Sequence, residues 1–124
     1  TLTYLTSDAT EKATVSNFQN AKFTGVYETE KLTSKDPYDV FLSGATPLTV
    51  IKNPNAEKER KLVIFRDSYG SSIAPLLIGA YSEITLVDLR YMASDLLEKY
   101  VDFTDAEVLF LMSDKVVNNS TLLK

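Results

Sequence analysis

The chain has 124 residues, 44% hydrophobic and 24% charged, with a formal net charge of −4. That is room for one domain with a real core, and neither the charge nor any basic stripe with interleaved aromatics favours nucleic acid as a partner. Zero cysteine excludes disulfides, thiol catalysis and thiolate zinc sites, while zero histidine removes the usual general base and most transition-metal sites.

Residues 1–33 read as an irregular β-rich segment. Thr1-Leu2-Thr3-Tyr4-Leu5 and Thr14-Val15-Ser16-Asn17-Phe18 alternate and are rich in β-branched or aromatic types, and Gly25-Val26-Tyr27-Glu28 offers a third short strand. These segments either pack as a meander on a main sheet or belong with a part that these residues lack.

Residues 34–124 read as an α/β core. Asp36-Pro37-Tyr38-Asp39 has the marks of a helix start: an N-cap acid, a proline at the first position and a second acid in the first turn. Val40, Phe41 and Leu42 continue it, and Gly44 is expected to end it after about two turns. Thr46 to Lys52 predicts a strand with Pro47 at its entrance. Asn53 to Arg60 is an exposed polar connection, in which Glu57 and Glu59 break up any basic patch.

Leu62-Val63-Ile64-Phe65 is apolar at every position, which predicts a strand of a parallel sheet covered on both faces. Arg66-Asp67-Ser68-Tyr69-Gly70 follows as a polar turn ending in a residue that tolerates positive φ. Ser71 and Ser72 are N-cap types, Pro75 suits a first helical turn, and Ile73, Leu76, Leu77 and Ala80 repeat at helical spacing. Glu83 to Asp88 predicts a second buried strand, Met92 to Val101 a helix with Ser94 as a cap, and Glu107 to Met112 a third buried strand. The order β-α-β-α-β predicts a three-layer α/β sandwich on a mainly parallel sheet. No run approaches the roughly 20 apolar residues that span a bilayer.

This arrangement puts Ser68 at the carboxyl end of a strand, the edge where open α/β sheets bind ligands. It also puts the hydroxyl near free N–H groups at a helix start, where developing negative charge is stabilised. The plain alternative is a turn serine that only caps a helix. Asp88 and Arg90 end the second strand on the same edge, placed either to hold each other or to orient a ligand. Past the third strand, Asn118 or Asn119 has the chemistry to donate to an oxyanion, or to cap a turn; Asn118-Asn119-Ser120 also matches a glycosylation sequon.

Four blocks in order, FLSGATPLTVIKNPN, RDSYGSSIAPLL, YSEITLVDLRYM and VLFLMSDKVVNNS, resemble the carboxyl-terminal part of bacterial DHHW proteins. These are SGNH-hydrolase-like and similar to proteins that acetylate alginate and other exopolysaccharides. The resemblance covers residues 35–124 and, more loosely, the start. It implies an SGNH-hydrolase/flavodoxin-like fold and a serine esterase or O-acetyltransferase acting on a polysaccharide or another acyl-bearing substrate in the cell envelope or outside the cell, with no cofactor. Ser68 then matches the nucleophile, with Asp67 beside it. The backbone N–H of Ser68, with that of Tyr69 or Gly70, would form the oxyanion hole, and Asn118 or Asn119 a third donor. Arg66 stands where the wider SGNH group has glycine. In this branch the Asp-His pair lies upstream of the serine, so a missing N-terminal part of the same protein is expected to supply it. A serine without a base stays protonated, and the chain alone is expected to show no serious esterase activity.

Two other functions compete. One is a non-catalytic carbohydrate-binding or scaffold domain that keeps the fold. The other is a flavodoxin-like phosphate binder using Gly70-Ser71-Ser72, disfavoured because neither a phosphate-loop lysine nor Gly-x-Gly-x-x-Gly is present.

Overall fold

The structure, a computed structural model, describes residues 1–17 and 20–124, and of residues 20–23 the backbone alone. Strands β1 (Thr14–Asn17), β2 (Asn20–Thr24), β3 (Leu48–Lys52), β4 (Lys61–Arg66), β5 (Glu83–Val87) and β6 (Ala106–Leu111) form one sheet in the order β2-β1-β3-β5-β4-β6. β4 runs parallel to β5 on one side and to β6 on the other. The pairings β1–β2, β1–β3 and β3–β5 are antiparallel, so the sheet is mixed rather than mainly parallel. Connection length is the cause. Residues 53–60 are too few for a covered crossover, which takes a dozen or more, so β4 returns from the same end of the sheet at which β3 finishes.

The unbroken apolar run of β4 is covered on both faces, as its pattern requires. Leu62 and Ile64 pair in register with Ile84 and Leu86, and pack with Ile51, Ala74 and Ile78 under α2 (Tyr69–Leu77). Val63 and Phe65 face the other way, toward Leu48, Val87, Met92 and Val101. Each such side chain stabilises the fold by about 1.5–3 kcal/mol when fully buried. β6 breaks the pattern. Read from sequence as a third buried strand, it lies at the sheet's edge with residues 107–110 exposed, because among the described residues nothing pairs along its outer side.

The amino-terminal segment joins the same sheet through β1 and β2, and Ala13, Val15 and Val26 enter the core on the α2 face. Thr1 to Leu5 is not a strand, and among the described residues 25–28 contribute one bridge, Tyr27 to Phe41. The strand predicted over Thr14 to Phe18 is realised over Thr14–Asn17, and its last residue, Phe18, lies outside the described residues. The short helix α1 (Asp8–Lys12) went unread. Ser7 and Thr10 hold its start reciprocally, Ser7 Oγ accepting the Thr10 N–H at 3.2 Å and Thr10 Oγ1 accepting the Ser7 N–H at 2.8 Å.

Two predicted helices shrink. Asp36 does cap its segment, accepting the Tyr38 N–H at 3.1 Å, but a single 3₁₀ turn over Pro37–Val40 replaces the expected two turns. Leu42, Ser43 and Gly44 then take φ of 56°, 59° and 90°, which no right-handed helix admits. At 92–101 a 3₁₀ turn, Ser94–Leu96, leads into α3 (Leu97–Tyr100). Its leading N–H groups go elsewhere: Met92 donates to the Asp88 carbonyl and Ser94 to that of Lys124. A last helix, α4 (Asp114–Asn118), follows β6. Among the described residues no helix is long and apolar enough to cross a membrane.

Candidate functional site around Ser68

β4 ends at Arg66 and α2 begins at Tyr69, leaving Ser68 exposed between them with φ −60° and ψ −27°. The helix starts three or four residues earlier than a cap at Ser71 or Ser72 predicts, because an aspartate does the capping. Asp67 Oδ1 accepts the Tyr69 N–H at 3.0 Å, while the Ser68 side chain makes no cap bond. One consequence concerns Pro75. It falls at the seventh helical residue rather than in the first turn, where it lacks the N–H that the Ser71 carbonyl would take, and a 3₁₀ turn at Ile78–Ala80 succeeds the helix.

Asp67 is buried and holds two elements at once. Its second oxygen, Oδ2, accepts the Ser113 N–H at 2.6 Å, tying the end of β4 to the end of β6. Burial pushes its carboxyl pKa up, but the bonds from Ser113 and Tyr69 and the nearby Arg90 charge outweigh that, and the group ends below the usual carboxylate range.

Beneath the turn lies Arg66, only 1% exposed. Nη1 donates to Ser71 Oγ at 2.9 Å and to the Asp67 carbonyl at 3.4 Å, and Nη2 reaches Thr49 Oγ1 at 3.5 Å. Nε has no partner among the described residues. Burial lowers the guanidinium pKa and Asp88 opposes the change; an arginine there still keeps its charge. The arginine stem also explains Gly70, whose φ is not positive, contrary to the sequence-based expectation. A Cβ at Gly70 would sit 2.6 Å from Arg66 Cβ and 3.0 Å from Cγ. Gly70→Ala is therefore expected to cost about 1–3 kcal/mol through overpacking, read as a lower urea midpoint. A loss under about 0.5 kcal/mol, the range of ordinary surface changes, would remove this packing argument.

Asp88 and Arg90 form a closed pair. Arg90 donates from Nε to Oδ1 at 2.9 Å, from Nη2 to Oδ2 at 2.6 Å, and from its backbone N–H to Oδ1 at 3.1 Å. The Asp88 side chain is fully buried and that of Arg90 about a quarter exposed, lying over the Tyr91 ring. The hydrogen bonding it donates to Asp88 is the main cause raising the Arg90 pKa.

Of the three N–H groups proposed for an oxyanion, that of Tyr69 is taken by Asp67 Oδ1 and that of Gly70 donates to the Asp67 carbonyl at 3.1 Å. The Ser68 N–H has no acceptor among the described residues, nor has its hydroxyl a partner. Asn118 and Asn119 are exposed at the end of α4 and, among the described residues, make no hydrogen bond to the Ser68 turn; Asn119 Oδ1 instead accepts the Thr121 hydroxyl at 2.8 Å. Sequence reasoning missed Tyr38. Its hydroxyl lies 2.9 Å from both the Ser68 carbonyl and Ser72 Oγ, roofing the turn from a segment 30 residues away. No local spacing could have signalled that.

Chemically the arrangement presents a free hydroxyl and one open N–H above a layer of two arginines and two aspartates. No base among the described residues touches the hydroxyl, and Asp67 is committed to two N–H groups. A cavity of about 520 Å³, lined by Asp8, Lys12, Asn53, Asn55 and Arg60 among others, lies at the opposite end of β4. No cluster of metal-ligating side chains occurs among the described residues.

The chain matches no family model and no curated protein. Solved structures to which it is similar include two of Bacillus cereus PatB1 and one of a DHHW family protein. Bacillus cereus PatB1 with a sulfonyl adduct shares 24% identity at a TM-score of 0.60, over 90% of this chain and 38% of that one. A second structure of PatB1 gives 25% and 0.57, over 90% and 36%. A DHHW family protein from Eubacterium siraeum gives 28% and 0.52, over 82% and 34%. The chain thus spans little more than a third of the length of the structures it matches.

Proposed function

We propose that this chain is the nucleophile-bearing part of an SGNH-like acyl esterase or O-acetyltransferase, with Ser68 as the attacking group and a cell-envelope polysaccharide as the acyl-bearing substrate. The observation that carries the reading is the position of Ser68: a hydroxyl and an N–H without partners among the described residues, exposed between the carboxyl end of a parallel strand and a helix. That is where attack on an acyl carbonyl would find both access and a donor for the oxyanion. The likeness to a DHHW family protein supports the same reading, since the sequence blocks resemble that family. Apolar residues packed on both faces of β4 are consistent with a three-layer sandwich.

Asp67 and Arg66 act here as supports: the first caps α2, the second fills the space under Gly70. Asp88 holds Arg90 at the rim, where its remaining exposed edge can meet an anionic or carbonyl oxygen of the substrate. The proton acceptor comes from the N-terminal part of the same protein. The 124 residues alone therefore stay unreactive.

The test is labelling of the full-length polypeptide with a fluorophosphonate probe. Modification at Ser68, absent in Ser68→Ala and absent from the 124-residue chain, is expected. Labelling that survives Ser68→Ala, or a full-length protein that takes no label, would leave the competing scaffold reading in place. That reading draws on the absence of any histidine.

A further inference from the structure

β6 is built as an interior strand and stands at an edge. Its sequence, AEVLFL, is apolar at five of six positions. In register with β4, Val108 and Phe110 lie on the face of Val63 and Phe65, and Leu109 on the face of Ile64. Val108 is 48% exposed, Leu109 37% and Phe110 69%. Phe110 and Phe103 both stack on the buried Phe65, at 4.8 and 6.3 Å, so the exposed rings continue the core instead of standing apart from it. Natural edge strands are blunted by lysine, proline or a bulge. β6 has no lysine or proline, and its register with β4 runs unbroken from Ala106 to Leu111.

We propose that in the working protein β6 is interior: a further strand pairs along its free side, and that strand with its flanking elements covers Val108 and Phe110 on one face and Leu109 on the other. The occupant is a region of the same polypeptide outside residues 1–124. Two observations favour it over a second copy. Apolar side chains are bare on both faces, so the edge needs covering layers as well as a strand, and a second copy pairing through its own bare β6 adds a strand without those layers. The solved neighbours also carry more than half of their length with no counterpart here, which is ample for such a region. Asp67 ties the end of β6 to the Ser68 turn, so the docked region would also wall one side of that turn. The inference rests on the sheet and does not depend on the chemistry proposed for Ser68.

The experiment places a photo-crosslinking benzophenone amino acid at Phe110, a position exposed enough to accept it, in the full-length polypeptide. Irradiation of the monomer is expected to yield crosslinks to residues outside 1–124. In the same polypeptide, the β6 amides that β4 does not bind are expected to exchange with deuterium at least about 100-fold more slowly than free amides. Crosslinks confined to a second copy or to residues 1–124, unprotected amides, or a reading frame that encodes nothing further would each overturn the inference. Ser68→Ala leaves both readouts unchanged, so failure here and failure of the acyl-transfer reading are told apart.

Discussion

Asp88→Ala is expected to destabilise the fold by about 3–5 kcal/mol, the cost of leaving a buried charge without its partner. The carboxylate is fully buried, accepts three bonds from Arg90, and is the charge that most offsets the burial of Arg66. Without it the Arg90 charge still opposes that of Arg66 with its main offset gone, and Arg66 Nε has no partner among the described residues. Domains of this size hold about 5–15 kcal/mol in total, so the variant should be largely unfolded by mild denaturant. A urea titration followed by circular dichroism reads this directly. A loss below about 1 kcal/mol would mean that water reaches the arginines and that the pair is ornamental. Arg90→Ala is the milder partner change, because its guanidinium is partly exposed and its removal leaves Asp88 still near Arg66.

Asp67→Asn is expected to cost about 1.5–3 kcal/mol, the worth of a hydrogen bond to a charged group. An amide presents one oxygen where the carboxylate presents two, and turns its NH₂ toward either the Tyr69 or the Ser113 N–H. The pH dependence separates this from simple loss of packing. The folded pKa of Asp67 lies below its unfolded value, so its contribution is present above the ordinary carboxylate pKa, near 4, and is lost as the pH falls through the lower folded value. The native protein should therefore lose stability over that acid window by more than Asp67→Asn does. Parallel pH profiles for the two proteins would show that Asp67 is not held as a charged cap.

How much of this was legible beforehand depends on the range of the forces involved. β4 could be read because four consecutive apolar residues have few places to go except between two covering layers. The capping aspartate at residue 36, the strand after Pro47 and the polar connection at 53–60 were legible for the same reason: each is a choice made within a few residues. The same local logic misplaced the start of α2. Ser71 and Ser72 look like caps, but the Ser71 hydroxyl is taken by Arg66 and Asp67 captures the first free N–H. Gly70 was read as a turn residue and turned out to make room for a side chain four positions back.

The residues taken in order specify an α/β chain without thiol or imidazole side chains, with a serine between a buried strand and a helix. Those conclusions rest on composition and on hydrophobic period, which act along the chain. Folding in three dimensions makes the sheet mixed, closes Tyr38 over the Ser68 turn, joins β4 to the end of β6 through Asp67, and leaves the outer side of β6 unpaired among the described residues. Each of those depends on which strand lies beside which, and pairing between distant segments leaves no periodic mark in either one.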